Sequence, residues 1–126
     1  EREFQGQVFC HHKVKEAVWK PWRIKGFEFR DTGINTSTKA VASVQIARPL
    51  NTNAKPQLIS HDTDILFTFV MQGEMELAAD GQKLQFLHKG DAYVVPPHLK
   101  HRIYNFSNDL ELLEVSLPGN FKTTMH

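Results

Sequence analysis

The sequence feature that most constrains the fold is residues 90–105, which join two apolar segments through a pair of prolines. Residues 93–95 are aromatic and β-branched, and such residues favour a strand. Pro96 and Pro97 lack the N–H that a sheet ladder needs, so this strand must end there. Side chains alternate along a strand, and a second strand that begins after the turn carries His101 on one of its faces. We therefore predict two strands around a rigid proline turn, with His101 positioned more firmly than it would be on a loop.

Short strand patterns with turn signals between them recur along the rest of the chain. Residues 38–48 and 110–117 alternate between two faces, and residues 65–71 form an almost unbroken apolar run. Asp80 and Gly81 give the strongest hairpin signal in the sequence. Regular short strands without a convincing amphipathic helix indicate an all-β sandwich or barrel. A length of 126 residues suits a single domain with one core.

The proline turn and the strands around it resemble the second motif of the cupin superfamily. That motif has glycine, proline, histidine and asparagine at fixed spacings, and Gly90, Pro96, His101 and Asn105 keep them. His98 is the one departure, because it stands where the family has a second glycine. The resemblance implies a jelly-roll β-barrel, an architecture within which cupins fall.

The first cupin motif, two histidines followed by a glutamate and a glycine, is degenerate in this chain. His61 and Gly73 match the second histidine and the closing glycine, whereas Ile59 and Leu66 stand in the slots of the first histidine and the glutamate. The chain further resembles small single-domain bacterial cupins in residues 26–31 and 109–115. From this resemblance we expect an N-terminal arm over residues 1–30, packed on the barrel or on a dimer partner, and a cupin barrel over residues 31–126.

The resemblance also implies a divalent transition metal, Fe, Mn, Ni, Cu or Zn, inside the barrel. Carried over by position, the implied ligands reduce to His61 and His101, and catalytic metals usually have at least three protein ligands. The possible third ligands are Asp64, Glu114 and His98. The alternative is that both histidines are structural and bonded to neighbours, and that Glu114 pairs with Arg48 or Arg102.

Loss of two family ligands makes the predicted pocket more apolar. Its expected lining residues are Ile59, Leu66, Phe69 and Ile103, around the two histidines. An apolar concavity with a few polar groups is typical of a small-molecule site. The sequence is therefore compatible with a metal-dependent oxygenase or isomerase-like enzyme, and equally with a cupin that binds a small ligand as a sensor without catalysis.

Charge and cysteine content narrow the range of partners and locations. A net charge of +1 provides no field to attract nucleic acid, and no apolar run is long enough for a membrane span. Cys10 is the only cysteine, so an internal disulfide is impossible and a cytoplasmic location is the default expectation. Trp19 and Trp22 are expected to be packing anchors over the barrel mouth or in a homodimer contact.

Overall fold

The computed structural model describes residues 3–4, 7–8, 10–11, 17–51 and 55–126, and nearly all regular secondary structure in this part of the chain is β-strand. The strands are β1 (Glu3–Phe4), β2 (Gln7–Val8), β3 (Trp19–Pro21), β4 (Phe27–Asp31), β5 (Ser43–Pro49), β6 (Ile59–His61), β7 (Ile65–Gln72), β8 (Glu74–Ala79), β9 (Gln85–His88), β10 (Ala92–Val94), β11 (His101–Tyr104), β12 (Glu111–Leu117) and β13 (Thr123–Met125). One short helix, α1 (Ile34–Ser37), precedes β5. The predicted all-β class is confirmed.

Two antiparallel sheets form the jelly roll. The larger has six strands in the order β10-β7-β12-β5-β4-β3, and the smaller has five in the order β13-β6-β11-β8-β9. β1 and β2 form a separate two-stranded sheet. Apolar side chains of both main sheets meet in one cluster, for example Phe27, Val70 and Leu112 from the larger sheet with Met75 and Ile103 from the smaller.

Strand β7 shows how the larger sheet sorts its side chains. Leu66, Thr68 and Val70 are buried on the interior face, whereas the residues between them are only half-buried. Phe69, which we expected to line the pocket, therefore lies on the face opposite Leu66. The expectation was wrong because successive side chains of a strand point to opposite faces, and an unbroken apolar run does not reveal which face is inward.

The second half of the predicted N-terminal arm is part of the barrel sheet. β3 and β4 extend the larger sheet beyond β5, and the predicted boundary between residues 30 and 31 falls inside β4. Trp22 is only 7% exposed and belongs to the core. Most of residues 1–16 lies outside the described residues, and a contact with a second copy of the chain stays a prediction.

The proline turn after β10 has the geometry that its motif predicts. His98, in the slot where the family has glycine, adopts φ +70°, a left-handed conformation that glycine reaches without strain. Its backbone N–H donates a hydrogen bond of 2.8 Å to the carbonyl of His61. The turn thereby fixes β6 against the end of β10. The left-handed conformation is less favourable for His98 than it would be for a glycine.

Candidate functional site

A row of polar side chains crosses the interior face of the larger sheet. Tyr93 pairs with Thr68, Thr68 with Glu114, and Glu114 with Gln45 in the registers of four neighbouring strands. Directly paired residues point to the same face of a sheet. Thr68 and Glu114 are 3% and 2% exposed, so the row lies inside the barrel. Burial raises the pKa of the Tyr93 hydroxyl to about 12, which keeps this phenol protonated at neutral pH.

Glu114 is held by Arg23, and we call these two residues the arginine pair. Arg23 comes from the loop between β3 and β4, and its Nε donates a hydrogen bond of 3.2 Å to Oε2 of Glu114. Its Nη2 donates a second bond to Oε1, so the contact is bidentate. The predicted partners were wrong, since Arg48 pairs at the surface with Glu28 and Arg102 has no ion pair with Glu114. Residues 91 positions apart meet here, which strand alternation cannot predict.

The guanidinium of Arg23 lies between two aromatic rings. Its Cζ is 4.9 Å from the ring centroid of Trp22 and 5.5 Å from that of Phe121. The Trp22 indole N–H donates a hydrogen bond of 3.0 Å to Oε1 of Gln45, the last member of the polar row. Nη1 of Arg23 is buried and has no hydrogen-bond partner among the described residues. A buried unpaired donor is costly, so this atom marks a place where an acceptor would be stabilised.

Arg23 also lines a cavity of about 470 Å³ at the mouth of the barrel. Phe29 and Phe121 provide aromatic wall, and Gln45 and Asn120 provide amide groups. We call this space the mouth cavity. Its volume falls within the range of small-molecule sites, and its combination of rings with a few polar groups is typical of them.

His61 and His101, the histidine pair, come together in the barrel as the sequence predicts, with ring centroids 6.4 Å apart. Both ring nitrogens of His61 are already used. Nδ1 accepts the backbone N–H of Thr63 at 3.2 Å, and Nε2 therefore carries the proton and donates it to the Val95 carbonyl at 2.6 Å. Burial lowers the pKa of His61, and Arg23 lowers it further, so the ring is neutral at pH 7. No lone pair of His61 is left for a metal in this arrangement.

Only one of the two ring nitrogens of His101 is hydrogen-bonded to the protein in the described structure. Its Nδ1 donates a hydrogen bond of 3.0 Å to the Leu99 carbonyl, which leaves the lone pair on Nε2. No hydrogen bond to that atom is present within the described part of the chain. Burial lowers the pKa of His101, with further lowering by Arg23 and His61, so this ring is also neutral at pH 7.

The expected third ligands do not complete a metal site. Asp64 and His98 are exposed at the surface, because the turns that carry them face outward. Glu114 is inside the barrel, but both its oxygens are bound by Arg23. Within residues 3–4, 7–8, 10–11, 17–51 and 55–126 there is no group of three His, Cys, Asp or Glu side chains able to hold a metal ion. The donor set as arranged therefore does not fit the implied metal.

Three of the four expected lining residues lie in the barrel interior, and a ligand pocket lined by them stays a prediction. Ile59, Leu66 and Ile103 are buried at 3%, 2% and 3% exposure, but they belong to the packed core rather than to the mouth cavity. Arg23 and Phe121 were not predicted as site residues. The sequence contained one signal for Arg23. A glutamate on an interior face, Glu114, needs a cation as its partner, and Arg23 is a cation in the aromatic segment expected to pack over the barrel.

Fold and site together define a β-barrel protein with a small polar cavity. A family model for the cupin domain matches residues 50–116, more than half of the chain, and the protein belongs to the cupin family. A search of curated proteins finds no match. None of the helices in the part of the chain described by the structure is long and apolar enough to cross a membrane.

Solved structures with low sequence identity share the fold. An RmlC-like cupin from Shewanella frigidimarina superposes with a TM-score of 0.70 at 16% identity, over 91% of this chain and 96% of that one. KdgF from Halomonas sp. gives 0.65 at 16% identity, over 87% and 95%. A Streptomyces Pac13 variant with uridine gives 0.69 at 13% identity, over 94% and 92%. Pac13 is described as a nucleoside dehydratase.

Proposed function

We propose that this cupin binds a small molecule in the mouth cavity through the arginine pair, and that binding does not require a metal on the histidine pair. The observation that carries the proposal is Nη1 of Arg23, a buried donor without a partner among the described residues, on a residue that lines the cavity wall. A ligand acceptor at this position would satisfy the donor and recover its desolvation cost of about 1–3 kcal/mol.

The surroundings of Arg23 support a preformed site. Two rings, Trp22 and Phe121, flank the guanidinium, and Glu114 fixes two of its three nitrogens. The side chain is therefore immobilised before any ligand arrives, so binding incurs little further loss of side-chain entropy. The Pac13 fold neighbour, whose structure contains uridine, supports a small polar ring as a suitable occupant for such a barrel.

A metal-dependent enzyme, oxygenase or isomerase-like, is the second candidate. One observation favours it: His101 bonds a backbone carbonyl through Nδ1 and keeps Nε2 free, as metal-ligating histidines do. Against it, the one lone pair of His61, on Nδ1, already accepts the Thr63 N–H, and this hydrogen bond would have to break before His61 could bind a metal.

The two candidates are separated by a binding experiment on metal-free and metal-treated protein. Uridine, acetophenone and benzoate are titrated into the protein, and the Arg23 Nε–H signal is followed by NMR. We expect at least one probe to shift that signal in chelator-treated protein, and in the His101→Gln variant. A shift that appears only after Fe, Mn, Ni, Cu or Zn is added would instead support the metal enzyme. If none of the three probes shifts the signal with or without metal, the proposal is wrong.

A double variant tests whether binding depends on the arginine pair. Arg23→Met combined with Glu114→Leu removes both charges together, an exchange that buried ion pairs often tolerate without loss of stability. We expect this variant to lose probe binding, detected by its effect on the Phe121 resonances. The matched control is Arg48→Met combined with Glu28→Leu, which removes the surface Arg–Glu pair and should leave binding unchanged.

A further inference from the structure

The hydrogen-bonding character of the mouth cavity is set by its neighbours. The Trp22 indole can only donate, so the Gln45 atom that it contacts at 3.0 Å must be the amide oxygen. The Gln45 amide nitrogen can only donate, and Gln45 is one of the residues that line the cavity. Nη1 of Arg23 is likewise a donor without an acceptor in the described structure. Two fixed donors therefore require acceptor atoms on the ligand.

The charge of the same wall is already balanced. Arg23 is the one charged side chain among the described residues that line the cavity, and Glu114, at 2% exposure, neutralises it at direct contact. Neither His61 nor His101 is among the described residues that line the cavity, so the histidine pair adds no charge to this wall. An anionic ligand would place a second negative charge near Glu114, and no further charged side chain among the described lining residues would compensate it.

The walls favour a flat ring. Phe29 and Phe121 both line the cavity, and aromatic faces carry negative partial charge that repels anions and stacks with neutral rings. We propose that the mouth cavity selects an uncharged, planar molecule with carbonyl-type acceptors and discriminates against carboxylates of the same shape. This inference rests on the proposed function, since it assigns the ligand class of that site.

Acetophenone and benzoate test this selectivity, because they share a ring and a planar acceptor group and differ in charge. Dissociation constants are measured for wild-type protein at pH 7.5 (about one unit above the ordinary histidine value) by the NMR titration. We expect acetophenone to bind at least about tenfold more tightly than benzoate. Equal or tighter binding of benzoate would overturn the ligand class while leaving the proposed function intact. Failure of every probe to bind would instead overturn the proposed function itself.

A single isosteric change should reverse the preference. Glu114→Gln keeps the shape and one acceptor for Arg23 but removes the negative charge, so the guanidinium becomes uncompensated. We expect benzoate to bind about tenfold more tightly to this variant than to the wild type, with little change for acetophenone. Glu28→Gln, at the surface pair, is the matched control and should change neither constant. If the variant does not fold, the wild-type ratio alone decides.

Discussion

The two polar clusters inside this barrel differ in how fully the protein uses their hydrogen-bonding capacity. The histidine pair keeps residues in two family ligand slots, yet His61 has both nitrogens bonded to backbone and His101 has one. The arginine pair is not part of the family motifs quoted above, yet it leaves a buried donor unpaired on a residue that lines the cavity. The comparison teaches that a residue in a family ligand slot need not have a lone pair free for a ligand, and this is why our proposed site rests on the unsatisfied atom of Arg23.

The difference also has an energetic side. A histidine with two backbone partners contributes to stability, because its loss would leave those partners unpaired. A buried ion pair often contributes little to stability when compared with apolar residues of similar volume, so stability alone does not account for the arginine pair. The predictions below separate these two roles by removing one member at a time.

The largest expected effect follows from breaking the arginine pair on one side. Glu114→Ala leaves the Arg23 guanidinium without its counter-ion, between Trp22 and Phe121. We expect the free energy of unfolding to fall by about 3–5 kcal/mol, as for other broken buried pairs. Urea denaturation monitored by tryptophan fluorescence measures it.

The surface pair provides the control for this prediction. Arg48 and Glu28 are 45% and 21% exposed in their side chains, and Glu28→Ala should cost no more than about 1 kcal/mol. Similar losses of unfolding free energy for Glu114→Ala and Glu28→Ala would contradict the prediction. They would show that the buried pair and the surface pair contribute equally to stability.

The histidine pair should respond unequally to truncation. His61→Ala leaves the Val95 carbonyl and the Thr63 N–H without their partner inside the core, whereas His101→Ala leaves only the Leu99 carbonyl. We expect the first variant to lose about 2–4 kcal/mol of unfolding free energy and the second to lose less. Equal losses, accompanied by loss of a stoichiometric metal in elemental analysis, would indicate that both rings act as metal ligands.

The fold could be predicted because its determinants are local. Pro96 and Pro97 end a strand by their own chemistry, and the spacing from Gly90 to Asn105 carries the family motif within 16 consecutive positions. The left-handed backbone of His98 follows from the same motif, because the slot belongs to a glycine in the family. Features that depend on neighbouring residues in the chain can be predicted without coordinates.

The site could be predicted only in part, because it depends on contacts between distant segments. That His61 and His101 approach one another follows from the two motifs, but the state of His61 is set by a carbonyl 34 residues away. The partner of Glu114 is 91 residues away, on a loop of a segment that we expected to be an arm. Which nitrogen carries a proton and which cation reaches an acid are properties of the assembled barrel.

A further expected effect is a pH dependence that belongs to the histidine pair. Burial lowers the pKa of both rings below the ordinary value of about 6.5. Below that pH, the two histidines are therefore more fully protonated in the unfolded chain than in the folded one. The contribution of the two rings to stability is therefore fully present well above pH 6.5 and falls as the pH is lowered through that value, with a slope approaching about 1.4 kcal/mol per pH unit for each histidine. Urea denaturation between pH 7.5 and pH 5 (about one unit above to 1.5 units below the ordinary value) measures it. His61→Gln combined with His101→Gln should flatten the curve, whereas His88→Gln, at an exposed position, should not. An unchanged slope in the double variant would assign the acid sensitivity to other groups.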